Sequence, residues 1–578
     1  MELALFGVIG VITIVAAGFF SQKLGIAAPL ILIVVGVAFS YLPGAPTTVD
    51  HEIILLGLLP PILYAAAITV PVVDFRRNFS SISALSVALV FVTAFVTGFV
   101  LYVIFPDLSL AAGIAIGAVI SPTDVVAATA LGKRLGLPPR LVTILEGEGL
   151  VNDATALVLL RSAVAAIATT VTFWGVVGDF LFAVSVALVI GLVIGFITVK
   201  VRSKLHDPVL DTAISFAVPF IAFIPAEHVG ASGVIAVVVA GLYSGHQSAQ
   251  RFSAQARITE RINWRSAQFV LENGVFLLMG LEISSLISDV QKDELSADHA
   301  IYVGLLMVSI VVAVRFLFVA PLMLFLQGRA VRAERAQSRF REFLDTVRNR
   351  LDRPLPAEHR RQRAERVCSR RQIDLEQLRA EGLGWRGGLI LSWSGMRGVV
   401  TLAAAQSLPE EMTYRPQLVL IAFTVAVVTL LLQGGTLPWL IRRTGIPGTD
   451  RAADRRELAT LLDEMGKAGI AVLEHPAFHL PDGEDIDQSA VERVRSDTLL
   501  SAESAWERAD HGAGVDGLVH SPQRQYRELR REVLAAERDA LLDARATGAY
   551  SSRILTRAQA MLDLEETRLA QIDNPSGT

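Results

Sequence analysis

The chain has 578 residues, 52% of them hydrophobic and 19% charged, with a formal net charge of -4 and a mean hydropathy of +0.50. That apolar excess excludes an ordinary soluble domain and predicts a protein that crosses a membrane many times. A single cysteine, Cys368, excludes an intrachain disulfide and a cysteine metal cluster.

Met1-Glu2 runs straight into apolar residues without the basic flank of a signal peptide, so the first helix is expected to be retained and to enter from outside. Windows of about 20 apolar residues predict thirteen spans, near 2–20, 25–42, 52–70, 82–105, 109–131, 141–168, 173–201, 208–226, 230–245, 265–286, 300–326, 386–408 and 416–441. One alternating set of loops carries Lys23, Arg76, Arg77, Lys133, Arg134, Arg140, Lys200, Arg202, Lys204, Arg251, Arg257, Arg261 and the arginine-rich 327–384; the other set holds only Lys292 and Arg415. That asymmetry places the first set in the cytoplasm, the N-terminus outside and the C-terminus inside. The fold class is therefore an all-α polytopic membrane protein. A transmembrane domain covers 1–441, with a cytoplasmic loop at 327–384, and a helical cytoplasmic tail covers 442–578. Neither charged segment carries a nucleotide, calcium or phosphate motif. The arginine runs fit contact with anionic membrane lipid better than contact with nucleic acid.

Residues 124 to 153 concentrate the chemistry. The stretches AIGAVISPTDVVAATAL and ILEGEGLVNDATALVLL are apolar enough to span, yet hold Asp124, Glu146, Glu148, Asn152 and Asp153. A charge at a helix centre costs roughly 2.5–3.5 kcal/mol on insertion scales, while each Leu or Val returns about 0.3–0.6. Acids that costly, facing the inside of a bundle, mark an ion or proton path. Pro122 lacks an N–H and clashes with the carbonyl of Ala118, so span five is predicted to break just before Thr123 and Asp124. Such a break is tolerated at membrane depth only where it lines a cavity or is buried in protein.

A second interruption is predicted in span twelve, where Gly395 and Gly398 bracket Arg397 in WSGMRGVVTL. Spans five and twelve are seven apart and so run in opposite senses, as two inverted six-helix repeats require; paired broken spans point to a transport site. Arg397 near mid-membrane needs an anion, which Glu148 or Glu146 can supply as a structural ion pair. Glu146 and Asp153, seven apart, share a helix face, while Glu148 lies about 140° round from Asp153. Thr123, Asp124, Asn152 and Asp153 offer hard oxygen donors that suit a small monovalent cation or a proton. A carboxylate buried in low dielectric holds its proton more tightly than one in water, so Asp153 can trade a proton for a cation near neutral pH.

Asn273 in span ten is a candidate for the path, and Arg315 in span eleven reads as the structural partner of an internal acid. Arg161 reads as snorkelling or interhelical, Asp211 as solvated at a span end, His228 as a packing or capping residue and Pro60-Pro61 as a bend.

The motifs SPTDVVA, EGEGLVNDATALV, AEHVGASGVIAVVVAGL, NGVFLLMGLEI and SWSGMRGVVTLAAAQSLP resemble the bacterial branch of the monovalent cation:proton antiporter-1 family, which includes the sodium/proton exchangers. The resemblance covers roughly residues 1–441. It implies a thirteen-helix fold with crossed broken helices, a homodimer in the plasma membrane, and electroneutral exchange of sodium (or potassium or lithium) for a proton by alternating access, in the service of pH homeostasis. Asp153 then matches the ion- and proton-binding acid, Asn152 the Asn of its ND pair, Thr123 and Asp124 the TD of the broken helix, and Glu148 and Arg397 a structural ion pair. Gly149 replaces the serine usual in that motif, removing one hydroxyl ligand; Val125 stands where many members have proline, and Ala65 where some carry glutamate. No cofactor and no enzymatic activity are expected. The competing readings are a tail-gated cation channel and an intramembrane aspartyl protease using Asp124 and Asp153. The first lacks a repeated filter loop, and the second lacks the YD and GxGD signatures.

Overall fold

The computed structural model describes residues 2–24, 27–41, 52–124, 126–168, 173–205, 207–290, 297–350 and 384–446, and scattered residues between 456 and 569. Two compact units divide the chain, Met1–Gly448 and Thr449–Thr578. The described residues form helices and no strands. Cys368, Lys292 and Val125 lie outside them.

The first unit is a succession of apolar helices. They are α1 Glu2–Leu24, α2 Ala28–Ser40, α3 Ile53–Thr69, the short α4 Val72–Arg77, α5 Phe79–Ile104, α6 Leu110–Ile120, α7 Val126–Leu135, α8 Pro139–Ala168 and α9 Phe173–Arg202. After these come α10 Pro208–His228, α11 Gly233–Arg251, α12 Ala254–Leu281, α13 Ile283–Val290, α14 Ala297–Arg350, α15 Trp385–Trp393, α16 Val399–Gln406 and α17 Arg415–Thr444. Seven of these segments are long and apolar enough to cross a membrane on length and composition alone. Each apolar stretch read from the sequence falls on a helix or on a pair of helices separated by a break. At the start of the charged segment 327–384, α14 continues unbroken through Arg350, extending a span as one helix.

Helix starts follow from local chemistry. Ser109 Oγ accepts from the Ala112 N–H ahead of α6, Asp207 Oδ1 from the Val209 N–H ahead of α10, and Ser253 Oγ from the Ala256 N–H ahead of α12. Each satisfies an N–H that the first turn leaves orphaned. Pro60 and Pro61 sit in the first turn of a regular helix that follows a π-helical turn over Ile53–Leu58, so α3 starts irregularly rather than bending midway.

Packing separates into two main apolar cores. One gathers α5, α6, α14, α15, α16 and α17 with parts of α1, α2 and α12, and the other gathers α3, α9, α10 and α11 with Trp264 of α12. In the first, α5 and α6 touch backbone to backbone: a Cβ on Gly98 would stand 2.7 Å from Ile114 Cα, the close approach that small residues permit between membrane helices. Helix α8 belongs to both cores. Its Leu145, Leu159 and Leu160 pack into the first, and its Leu150 and Ala154 into the second. Asn152 and Asp153 therefore lie on the helix that forms the seam.

In the second core Asp211 is buried, not solvated. The Arg202 guanidinium donates to both its oxygens at 2.8 Å, contacts Glu260 Oε1 at 2.7 Å and lies 4.2 Å from the Phe252 ring centroid. Its first-turn position suggested exposure, but Arg202 lies nine residues upstream across a tight connection and draws it inward. Arg161 is interhelical, pairing with Glu227, and His228 is the exposed last residue of α10. In the second unit the described residues are helical and carry exposed ion pairs such as Lys467–Asp463 and Arg530–Glu565.

Candidate ion site at crossed broken helices

The chain leaves helical geometry at Ser121–Asp124, between α6 and α7, and again at Ser394–Gly398, between α15 and α16. Pro122 explains the first break, because no helix can continue through it without losing a hydrogen bond. The two extended segments cross and pair through the backbone: the Asp124 N–H donates to Met396 O at 2.7 Å. Gly398 makes the crossing tight, since a Cβ there would stand 2.5 Å from Asp124 Cβ and 2.7 Å from its Cγ.

Breaking two helices at mid-depth exposes two carbonyl ends and two N–H ends. A helix end carries about half an elementary charge, positive at the N-terminus and negative at the C-terminus. Arg397 answers the carbonyl ends. Its Nε donates to Ile120 O at 3.1 Å, at the end of α6, and its Nη1 donates to Gly395 O, just past the end of α15. Asp124 occupies the opposite pole, immediately ahead of α7 and packed on the residue that precedes α16.

Glu148 finds a different partner from the one expected. Arg315 of α14 chelates it, with Nη1 2.5 Å from Oε1 and Nη2 2.9 Å from Oε2, and both side chains are 1% exposed. Arg315 also donates to Leu391 O from Nε at 3.1 Å and Nη2 at 2.9 Å. The expected Glu148–Arg397 pair is thus corrected. Arg397 acts on Glu148 electrostatically, while the direct bonds come from Arg315. The reason is geometric, because Gly395 clears the path of Arg315: a Cβ at 395 would fall 2.5 Å from its Cδ. Reading Arg315 as the partner of an internal acid holds. Glu146, the other acid considered for Arg397, faces away and meets Lys133 Nζ at 2.6 Å.

A directed chain of hydrogen bonds runs from this pair to α8. Glu148, held between guanidiniums, accepts from Thr123 Oγ1 at 2.8 Å. Thr123 Oγ1 in turn accepts from Asn152 Nδ2 at 2.8 Å, and Thr123 O accepts from the same nitrogen at 3.1 Å. Both amide protons of Asn152 are committed, so its carbonyl oxygen is fixed facing the other way. Asn152 is 1% exposed, and Oδ1 finds no hydrogen-bond partner among the described residues. A buried acceptor without a partner is costly, and this one belongs to the residue that precedes Asp153.

Asp153 is half-buried on α8, and Asp124 is near enough for the two carboxylates to interact. The structure thus gathers Thr123, Asp124, Glu148, Asn152 and Asp153. On α12, Asn273 Nδ2 donates to Phe269 O of its own helix at 2.8 Å. Its neighbour Glu272 interacts electrostatically with Asp124 and accepts from Gln268 at 2.6 Å. Glu272 and Asp124 are 148 positions apart, which hides their proximity from the sequence. Thr401 on α16 and Gln433 on the π-helical turn of α17 were also passed over. Both are buried, with side-chain atoms that find no partner among the described residues. A buried Thr or Gln in an apolar span is common in helix packing, so no local signal singled them out.

Comparison with known proteins agrees with this geometry. The family of sodium/hydrogen exchangers, transmembrane, matches residues 9–443. An uncharacterised Na+/H+ exchanger of Mycobacterium bovis is 28% identical over 583 aligned positions, covering 98% of this chain and 96% of that one. The sodium, potassium, lithium and rubidium/H+ antiporter of Bacillus subtilis is 28% identical over 421 positions, covering 70% of this chain and 56% of the relative. The sodium proton antiporter MjNhaP1 of Methanocaldococcus jannaschii at pH 8 has the same fold, with a TM-score of 0.55 at 16% identity over 77% of this chain and all of that one. The chain belongs to the sodium/hydrogen exchanger family of multi-pass membrane proteins.

Proposed function

We propose that this protein exchanges a monovalent alkali cation for a proton across the membrane, with Asp153 as the group that binds one or the other. The charge pattern of the crossing carries the reading. Glu148 is matched by Arg315. Arg397 bonds the carbonyl ends of two half-helices, and Asp124 sits at their N–H ends. Asp153, in the middle of an unbroken helix, has no guanidinium among the described residues and no helix end to offset it, and Asp124 repels it. It needs a cation, and a proton and an alkali ion are alternatives for one carboxylate. Asn152 Oδ1 adds a neutral hard oxygen for the metal ion.

The remaining assignments follow from the same site. One carboxylate that takes either one alkali ion or one proton exchanges them one for one, so the exchange is electroneutral. Asp153 lies on the seam between two packed cores, where rocking of one against the other exposes it to each side in turn, the alternating access of transporters built on inverted repeats. The protein is a thirteen-span homodimer of the plasma membrane, with its N-terminus outside and its C-terminal helical tail, from residue 442, in the cytoplasm. Sodium, potassium and lithium are its cation class.

Everted vesicles test this. Adding sodium to vesicles that hold a proton gradient dissipates the gradient, and Asp153→Asn abolishes the response while the protein still folds and inserts. Normal exchange by that variant, or a sodium current without proton movement, overturns the reading.

A further inference from the structure

Where the resemblance implies a serine, α8 carries Gly149, and α16 carries a buried hydroxyl that finds no partner among the described residues. Thr401 is 1% exposed, and its Oγ1 finds no hydrogen-bond partner among the described residues. A buried hydroxyl ordinarily bonds back to its own helix or across to a neighbour, as Thr429 and Thr424 do on α17. Thr401 does neither.

Its position gives the reason. The Thr401 N–H donates to Gly398 O at 3.2 Å, closing the first turn of α16 over the break. Gly398 itself is covered by the Asp124 carboxyl group, so Thr401 follows that carboxylate by one turn of chain. Val400 packs toward the core that also holds Leu150 and Ala154 of α8, and Ala403 toward Ile54 and Val275. The first turn of α16 thus starts against Asp124 and packs on α8, α3 and α12.

We propose that Thr401 Oγ1 is a ligand of the transported alkali cation, given by the second broken helix opposite Asp153 and Asn152 of α8. This rests on the exchange reading above. A neutral hydroxyl and a neutral amide oxygen stabilise an alkali ion but do nothing for a proton already bonded to a carboxylate. They therefore set cation affinity and selectivity separately from proton affinity. Gly149 lies four residues before Asp153, on the same face of α8, so a serine there offers an equivalent hydroxyl from the other side.

The test uses the purified full chain in liposomes, measuring sodium-, potassium- and lithium-driven proton movement, together with sodium-induced thermal stabilisation in detergent. Thr401→Val keeps the shape and removes the hydroxyl. It is expected to raise KM for sodium roughly tenfold, the worth of one polar contact, with kcat and the pH profile in saturating sodium close to the parent. Sodium-induced stabilisation weakens in parallel. Thr401→Ser keeps parental affinity, and Gly149→Ser in the Thr401→Val background restores much of it. Parental sodium affinity in Thr401→Val overturns the proposal. So does a lowered melting temperature with unchanged sodium affinity, which marks a packing role only. If Asp153→Asn is inactive while Thr401→Val behaves as the parent, only the ligand assignment fails; if Asp153→Asn exchanges normally, the exchange reading fails with it.

Discussion

Removing Arg315 tests which cation holds Glu148. Both side chains are 1% exposed, joined by bonds of 2.5 and 2.9 Å, and Arg315 also serves Leu391 O. Breaking a buried pair from one side leaves an uncompensated charge and costs about 3–5 kcal/mol. Over the unit Met1–Gly448, an unfolding entropy of roughly 2.1 cal/mol/K per residue makes each kcal/mol worth about 1 °C, so Arg315→Ala is expected to lower the melting temperature by about 3–5 °C. Removing Glu148 as well removes the charge that was stranded. The double variant Arg315→Ala/Glu148→Ala is therefore expected to lose clearly less than the sum of the single losses, a coupling read from a thermal double-mutant cycle in detergent. The same cycle with Arg397 and Glu148 gives a smaller coupling, because Arg397 bonds Ile120 O and Gly395 O instead. An Arg315→Ala protein as stable as the parent, or additive losses in the first cycle, refutes the pairing.

Other expectations follow from the same geometry. Gly398→Ala places a methyl 2.5 Å from Asp124 Cβ; it should weaken sodium-driven exchange several-fold at a stability cost of about 1–3 kcal/mol, and a variant with parental exchange would mean that Asp124 has room to move. Arg202→Ala strands Asp211 and Glu260, 1% and 7% exposed, and is expected to cost about 3–5 kcal/mol. Arg161→Ala breaks a pair whose arginine side chain is 53% exposed, and solvent screening limits the loss to about 1 kcal/mol or less. Melting temperatures of the two variants side by side check that ordering.

How much could be read in advance depended on whether the deciding interaction was local. Hydropathy is local, and the apolar stretches landed on helices. Pro122 is local too, and it fixed the first break next to Thr123 and Asp124. Pairings across the bundle were not local. Arg315 was read as the partner of an internal acid without the acid being named, because nothing in a helical period tells which of several buried carboxylates lies opposite. Asp211 looked solvated because it begins a helix; the guanidinium that buries it comes from the previous helix and is shared with Glu260, 49 positions further on. The misassigned partner of Arg397 has a more general cause. Matching charges residue by residue required an acid for every buried arginine, and Glu148 was the nearest in motif. Yet two helices broken at mid-depth generate charge of their own, roughly half a unit at each end. Two carbonyl ends take the arginine, and Asp124 packs on Gly398 at the start of a half-helix. A tally of side chains omits those backbone charges and so spreads the available acids over the wrong arginines. With the helix ends included, Glu148 goes to Arg315.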